Sequence, residues 1–163
     1  YLICFLWREE NYMNRQLLKL PLYTLAAGVL TRLLIKVISS LALHSAGAWA
    51  VYLGDVIFYA QCVISAMFFI IIGLRLRKIY TRSVCFRAAS VLALYSLLSL
   101  VLEQAMQYSG HYGLLNYYMY LPIEIFTPIT ALLMRFFYEG AVSVVYAVPS
   151  LLAPYLFLLF TDK

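Results

Sequence analysis

The 163-residue chain is 65% hydrophobic and 12% charged, with a formal net charge of +5 and a mean hydropathy of +0.88. That composition excludes an ordinary soluble globular domain. Apolar runs of about 20 residues follow one another with little between them, each long enough to cross a hydrocarbon core of roughly 30 Å. Alternating strand patterning is absent, so backbone groups in lipid have to be satisfied within helices. The expected fold is all-α, a single polytopic transmembrane helix bundle of about five spans over residues 1–163.

In chain order, YLICFLW at residues 1–7 reads as the last two turns of a further, partial span, stopped by Arg8, Glu9 and Glu10. The first full span is placed at residues 21–43 and holds Arg32 and Lys36, four apart and therefore on one helix face with Gly28, Ser39 and Ser40. Each cation near a helix centre costs about 2.5–3.5 kcal/mol, while each Leu, Ile or Val returns roughly 0.3–0.6. With eleven such residues in the span, the total is near zero, so this helix needs partners inside a bundle or an interface to which its cations can snorkel.

The second span, 50–74, carries Asp55 in a stripe with Tyr52, Tyr59, Cys62 and Ser65. A basic linker at 75–87 follows, RLRKIYTRSVCFR. The third span, 88–108, aligns Ser96, Ser99, Glu103 and Gln107. The fourth, 118–137, aligns Glu124, Thr127 and Ala131 around Pro128, and the fifth, 141–160, contains Pro149 and Pro154. A proline removes the donor for the carbonyl four residues earlier, so Pro128 takes the helical donor from the carbonyl of Glu124, leaving it free for a cation or proton unless, as the commoner arrangement in membrane helices has it, a neighbouring Ser or water satisfies it.

Lys and Arg before the first span and in 75–87, with none in HSAGAW or SGHYGLLNY, set the expected topology. The N-terminal tail and linker 75–87 face the cytoplasm, where the linker meets anionic lipid headgroups; the loops around His44 and His111 lie on the opposite side. Arg135 closes the fourth span on the cytoplasmic side. Trp49, Tyr52, Tyr108, Tyr112, Tyr117, Tyr118 and Tyr120 form the opposite interfacial belt. Cys4, Cys62 and Cys85 have no CxxC spacing and stand on different elements, which argues against a disulfide and a metal site. The positive charge is accounted for by topology, so a nucleic-acid partner is excluded.

The chemistry-bearing constellation is Arg32, Lys36, Asp55, Glu103 and Glu124, with the three carboxylates expected at one level, roughly 7–10 Å below the outer boundary. Intramembrane charges mark solute and proton pathways. Small and hydroxyl residues beside them also serve simply to join helices. Neither GxSxG nor HExxH occurs, and Glu9–Glu10 lies outside a span, so no reaction is indicated. The expected function is a small transport or permeation unit for an ionic solute or proton, with these five residues as its site. The alternative is a non-catalytic accessory subunit of a larger membrane complex or a transmembrane sensor. Either would assemble as a homo-oligomer or with other membrane subunits.

Overall fold

The computed structural model describes residues 16–46, 51–110, 113–137 and 144–161; the partial span at 1–7, Arg8, Glu9, Glu10 and His111 lie outside them. Among the described residues the structure is helical and contains no strand. Three long helices, α1 (Lys19–Ala46), α2 (Val51–Arg77) and α3 (Arg82–Tyr108), are each apolar and long enough to cross a membrane. They match the first three expected spans, but α3 begins six residues before position 88. The basic stretch 75–87 is therefore mostly helix: Arg75 and Arg77 end α2, Arg82 and Arg87 open α3, and only 78–81 forms the turn.

Tyr80 fixes that turn to the start of α1. Its hydroxyl accepts the Leu20 N–H at 3.0 Å and donates to the Gln16 carbonyl. The first turn of a helix has N–H groups without intrahelical partners, so Tyr80 satisfies a group that burial would otherwise orphan. The start of α1 and the 78–81 turn consequently occupy one end of the molecule, the turn end.

The last third of the chain departs from the expected pair of spans. It consists of α4 (Leu114–Met119), a 3-10 segment η1 (Leu121–Phe126), α5 (Thr127–Phe137), a 3-10 segment η2 (Val144–Ala147), α6 (Val148–Leu152) and a 3-10 segment η3 (Ala153–Phe160). Proline explains the punctuation. Pro122, Pro128, Pro149 and Pro154 each stand second in η1, α5, α6 and η3, respectively. There the missing N–H costs least and the fixed φ suits a helix start.

The path of these segments differs from the single straight helix expected at 118–137. Phe126 packs against Phe157 and Phe69, with the latter ring centroid 6.5 Å away. Nine residues later, Arg135 bonds Asp55 at 2.8 Å and lies over Phe58 and Tyr59, near the start of α2. The chain thus enters between the long helices, turns at Phe126–Thr127 and returns to the end remote from the 78–81 turn. Arg135 closes no crossing at the turn end. The chain from 144 then descends: Ser150 accepts from Thr130, Tyr155 meets Ser90, and Phe160 reaches Gly73. A Cβ at Gly73 would stand 2.5 Å from the Phe160 ring, so only glycine lets η3 lie this close to α2.

Packing is uneven along the bundle. Leu20, Leu76, Cys85, Ala88, Ala89, Leu92 and Phe157 form the closed core near the turn end. On α1 the buried stripe runs Leu20, Thr24, Ala27, Gly28, Thr31 and stops there; Leu33, Leu34, Val37 and Leu41 beyond it are exposed.

Candidate functional site

The buried stripe of α1 ends beside its two cations. Arg32 projects from α1 toward the tip of the hairpin that η1 and α5 form, where its Nε and Nη2 donate to Glu124 Oε2 at 2.9 and 2.6 Å. Its Nη1 donates to the Tyr117 carbonyl, and the guanidinium carbon lies 3.8 Å from the centre of the Tyr117 ring. Gln61 of α2 donates from Nε2 to the other Glu124 oxygen at 3.3 Å. Four elements, α1, α2, α4 and η1, therefore meet at one buried ion pair.

The approach of η1 depends on Gly28. A Cβ there would fall 1.9 Å from the Leu121 carbonyl oxygen and 3.1 Å from the Glu124 Cβ. No side chain fits against that backbone, so the glycine one turn before Arg32 sets the distance that the ion pair spans. The Glu124 carbonyl, which loses its helical donor to Pro128, is occupied: the Thr127 hydroxyl donates to it at 2.8 Å, as does the Thr127 N–H that caps η1. A hydroxyl in the last turn before a proline replaces the missing donor.

Next to the pair lies a cavity of about 290 Å³, lined by Thr31, Arg32, Ile35, Lys36, Gln61, Tyr117 and Glu124. Lys36 is exposed at its edge. The Thr31 hydroxyl is fully buried and has no hydrogen-bond partner.

The other sequence-predicted residues stand elsewhere. Glu103 accepts the Tyr120 hydroxyl and lies 3.4 Å from the Gln107 amide. Both Glu103 and Tyr120 line a separate, largely apolar cavity of about 280 Å³ between α3 and the hairpin. Asp55 pairs with Arg135 at the surface. The structure thus brings Arg32, Lys36 and Glu124 together and puts Glu103 and Asp55 in two other places. Three participants lay outside the expected set: Gln61, Tyr117 and Thr31. Gln61 had a signal, as an amide within the apolar run FYAQCVI; Tyr117 had none, because it contributes its backbone carbonyl and its ring face.

Among the described residues no group of His, Cys, Asp and Glu has the arrangement to hold a metal ion. Compared with known protein families, with curated proteins and with solved structures, the chain matches none.

Proposed function

We propose that the chain is an integral membrane protein with four crossings and one re-entrant hairpin, acting as a transport or permeation unit for an ionic solute at the Arg32–Glu124–Lys36 cavity. The crossings are α1, α2, α3 and the broken descent from Val144 to Phe160. Twelve residues of that descent are 3-10 and five are α-helical, which at 2.0 and 1.5 Å per residue span roughly 30 Å. On the positive-inside rule the turn end, with Lys19, Arg75, Arg77, Lys78, Arg82 and Arg87, faces the cytoplasm and anionic headgroups.

The observation that carries the reading is the place of the ion pair. It lies at the tip of a hairpin of broken helices, beside a cavity that Arg32, Lys36, Gln61 and Glu124 line, and irregular backbone at membrane depth is tolerated where it is covered by protein or lines a water-filled cavity. Purified protein in proteoliposomes tests this: imposed gradients of a monovalent anion, of K⁺ and of protons should give flux for one of them, reduced in Lys36→Gln with no change in the unfolding midpoint. Absence of flux under all three gradients overturns it.

The alternative, an accessory subunit or sensor, draws on the apolar face of α1 left uncovered beyond Thr31. Under that reading the same proteoliposomes carry no flux, and a membrane protein co-purifies in a complex that Leu33→Ala/Val37→Ala weakens.

A further inference from the structure

The cavity beside the ion pair is rich in donors and poor in acceptors. A guanidinium has five N–H donors; three of Arg32's are used, two on Glu124 and one on the Tyr117 carbonyl. Two remain. Lys36, one turn along α1, lines the same cavity, and among the described residues no carboxylate lies within ion-pair distance of it. Glu124, the one carboxylate present, has both oxygens engaged by Arg32 and Gln61. Two cations against one carboxylate leave the site with a single uncompensated positive charge.

We propose that this cavity binds a small monoanion with an oxyanion head, held by the Lys36 ammonium and the outer N–H groups of Arg32. The inference rests on the preceding reading in taking this cavity as the solute site, and it adds the solute class. A cation would meet Lys36 without a counter-charge. An anion neutralises Lys36 and takes up the outer Arg32 N–H groups together, and charge-assisted bonds to an oxyanion are the strong ones. Glu124 is then a positioning residue: it aligns the guanidinium and leaves its outer edge to the ligand. Ile35 and the Tyr117 ring give the cavity an apolar wall, suited to a carboxylate with a small hydrocarbon body. The same head chemistry is offered by a soluble carboxylate and by an anionic lipid headgroup reaching in past Lys36.

Isothermal titration of the full chain in phosphatidylcholine nanodiscs with benzoate, benzamide and benzylamine tests the inference. Benzoate should bind at least about 10-fold tighter than the neutral and cationic isosteres. Lys36→Met should weaken benzoate by about 10-fold or more, and Lys36→Arg should restore most of it. The Lys36 variants should unfold at the wild-type temperature, because that side chain is exposed. Benzylamine binding as tightly as benzoate, or a benzoate affinity indifferent to Lys36→Met, overturns the proposal. Repeating the titration with phosphatidylglycerol in the nanodisc separates the sources: loss of benzoate binding identifies the lipid headgroup as the natural anion, and unchanged binding identifies a soluble one. Benzoate binding without flux of any ion removes the transport reading and leaves the anion site. Cation or proton flux without benzoate binding does the reverse.

Discussion

Two arginine–carboxylate pairs in this molecule have similar geometry and different surroundings. Arg32–Glu124 closes at 2.6 Å with side chains 15% and 9% exposed, whereas Arg135–Asp55 closes at 2.8 Å with side chains 37% and 50% exposed. Distance does not rank them. Around the first stand Gln61, the Tyr117 carbonyl and the Tyr117 ring. The second has aromatic faces at 5.0 and 5.1 Å and open surface otherwise. A shielded pair depends on both members being present, because either alone is a charge without solvent; an exposed pair loses little when one member goes.

The largest effect should come from breaking the buried pair on one side. Arg32→Leu leaves Glu124 enclosed without its cation and is expected to cost about 3–5 kcal/mol, read as a lowered midpoint in thermal unfolding of the detergent-solubilised protein. The double variant Arg32→Leu/Glu124→Leu sharpens the comparison. Removing both charges should recover most of that loss, since an apolar pair of similar volume avoids the desolvation that the ion pair incurs. Equal loss in single and double variants would contradict a coupled pair.

Gly28→Ala attacks the same site through the backbone. A methyl 1.9 Å from the Leu121 carbonyl cannot be absorbed by rotamer changes, so η1 has to move away from α1. The expected cost is about 1–3 kcal/mol. Because the ion pair spans that gap, Gly28→Ala should also reduce the penalty of Arg32→Leu when the two are combined. Strict additivity would show that η1 does not move.

The long helices were legible from the sequence because apolar length is a property of one segment. α1, α2 and α3 therefore coincide with the first three expected spans to within a few residues. The hairpin was not legible in the same way. Residues 118–137 have the hydropathy of a crossing, and the turn back shows only in contacts between distant elements, Arg135 with Asp55 and Phe126 with Phe69 and Phe157. A local signal did exist. Prolines six apart at 122 and 128 and five apart at 149 and 154 are too closely spaced for continuous α-helix, and each opens a new segment. Within the expected site, the four-residue spacing of Arg32 and Lys36 survives intact. The common level expected for the carboxylates presumed parallel, continuous helices, and the hairpin does not supply one.

A smaller effect is expected at the turn end, where Tyr80 performs with a neutral hydroxyl what the ion pair does with charge. Tyr80→Phe removes the acceptor for the Leu20 N–H and the donor to Gln16, and should cost about 1–2 kcal/mol. Burial pushes the Tyr80 phenol up to about 12, only partly opposed by the Leu20 N–H. The folded form therefore keeps a proton that the unfolded form releases from about pH 10. The contribution of Tyr80 is complete below pH 10 and is lost as the pH rises toward 12. Tyr80→Phe should flatten that alkaline slope in unfolding midpoints measured between pH 9 and about 12; an identical slope would place the titration elsewhere.

The exposed pair should give the smallest effect on stability, and this makes it the best place to test the path of the chain. Asp55→Asn removes the charge from the pair with Arg135 and leaves both side chains with solvent or headgroups to turn to, so the unfolding midpoint should stay at the wild-type value. Arg135→Cys should be equally silent. In a Cys4→Ala/Cys62→Ala/Cys85→Ala background, that cysteine and one introduced at Lys78 can be labelled separately in sealed vesicles with a membrane-impermeant maleimide. The contacts put Arg135 beside the start of α2 and Lys78 just after its end. If α2 crosses the bilayer, the two positions must react from opposite sides, and if 118–137 were instead a full crossing they would react from the same side. Opposite labelling with unchanged unfolding midpoints supports the re-entrant path, and same-side labelling returns residues 118–137 to the status of an ordinary span.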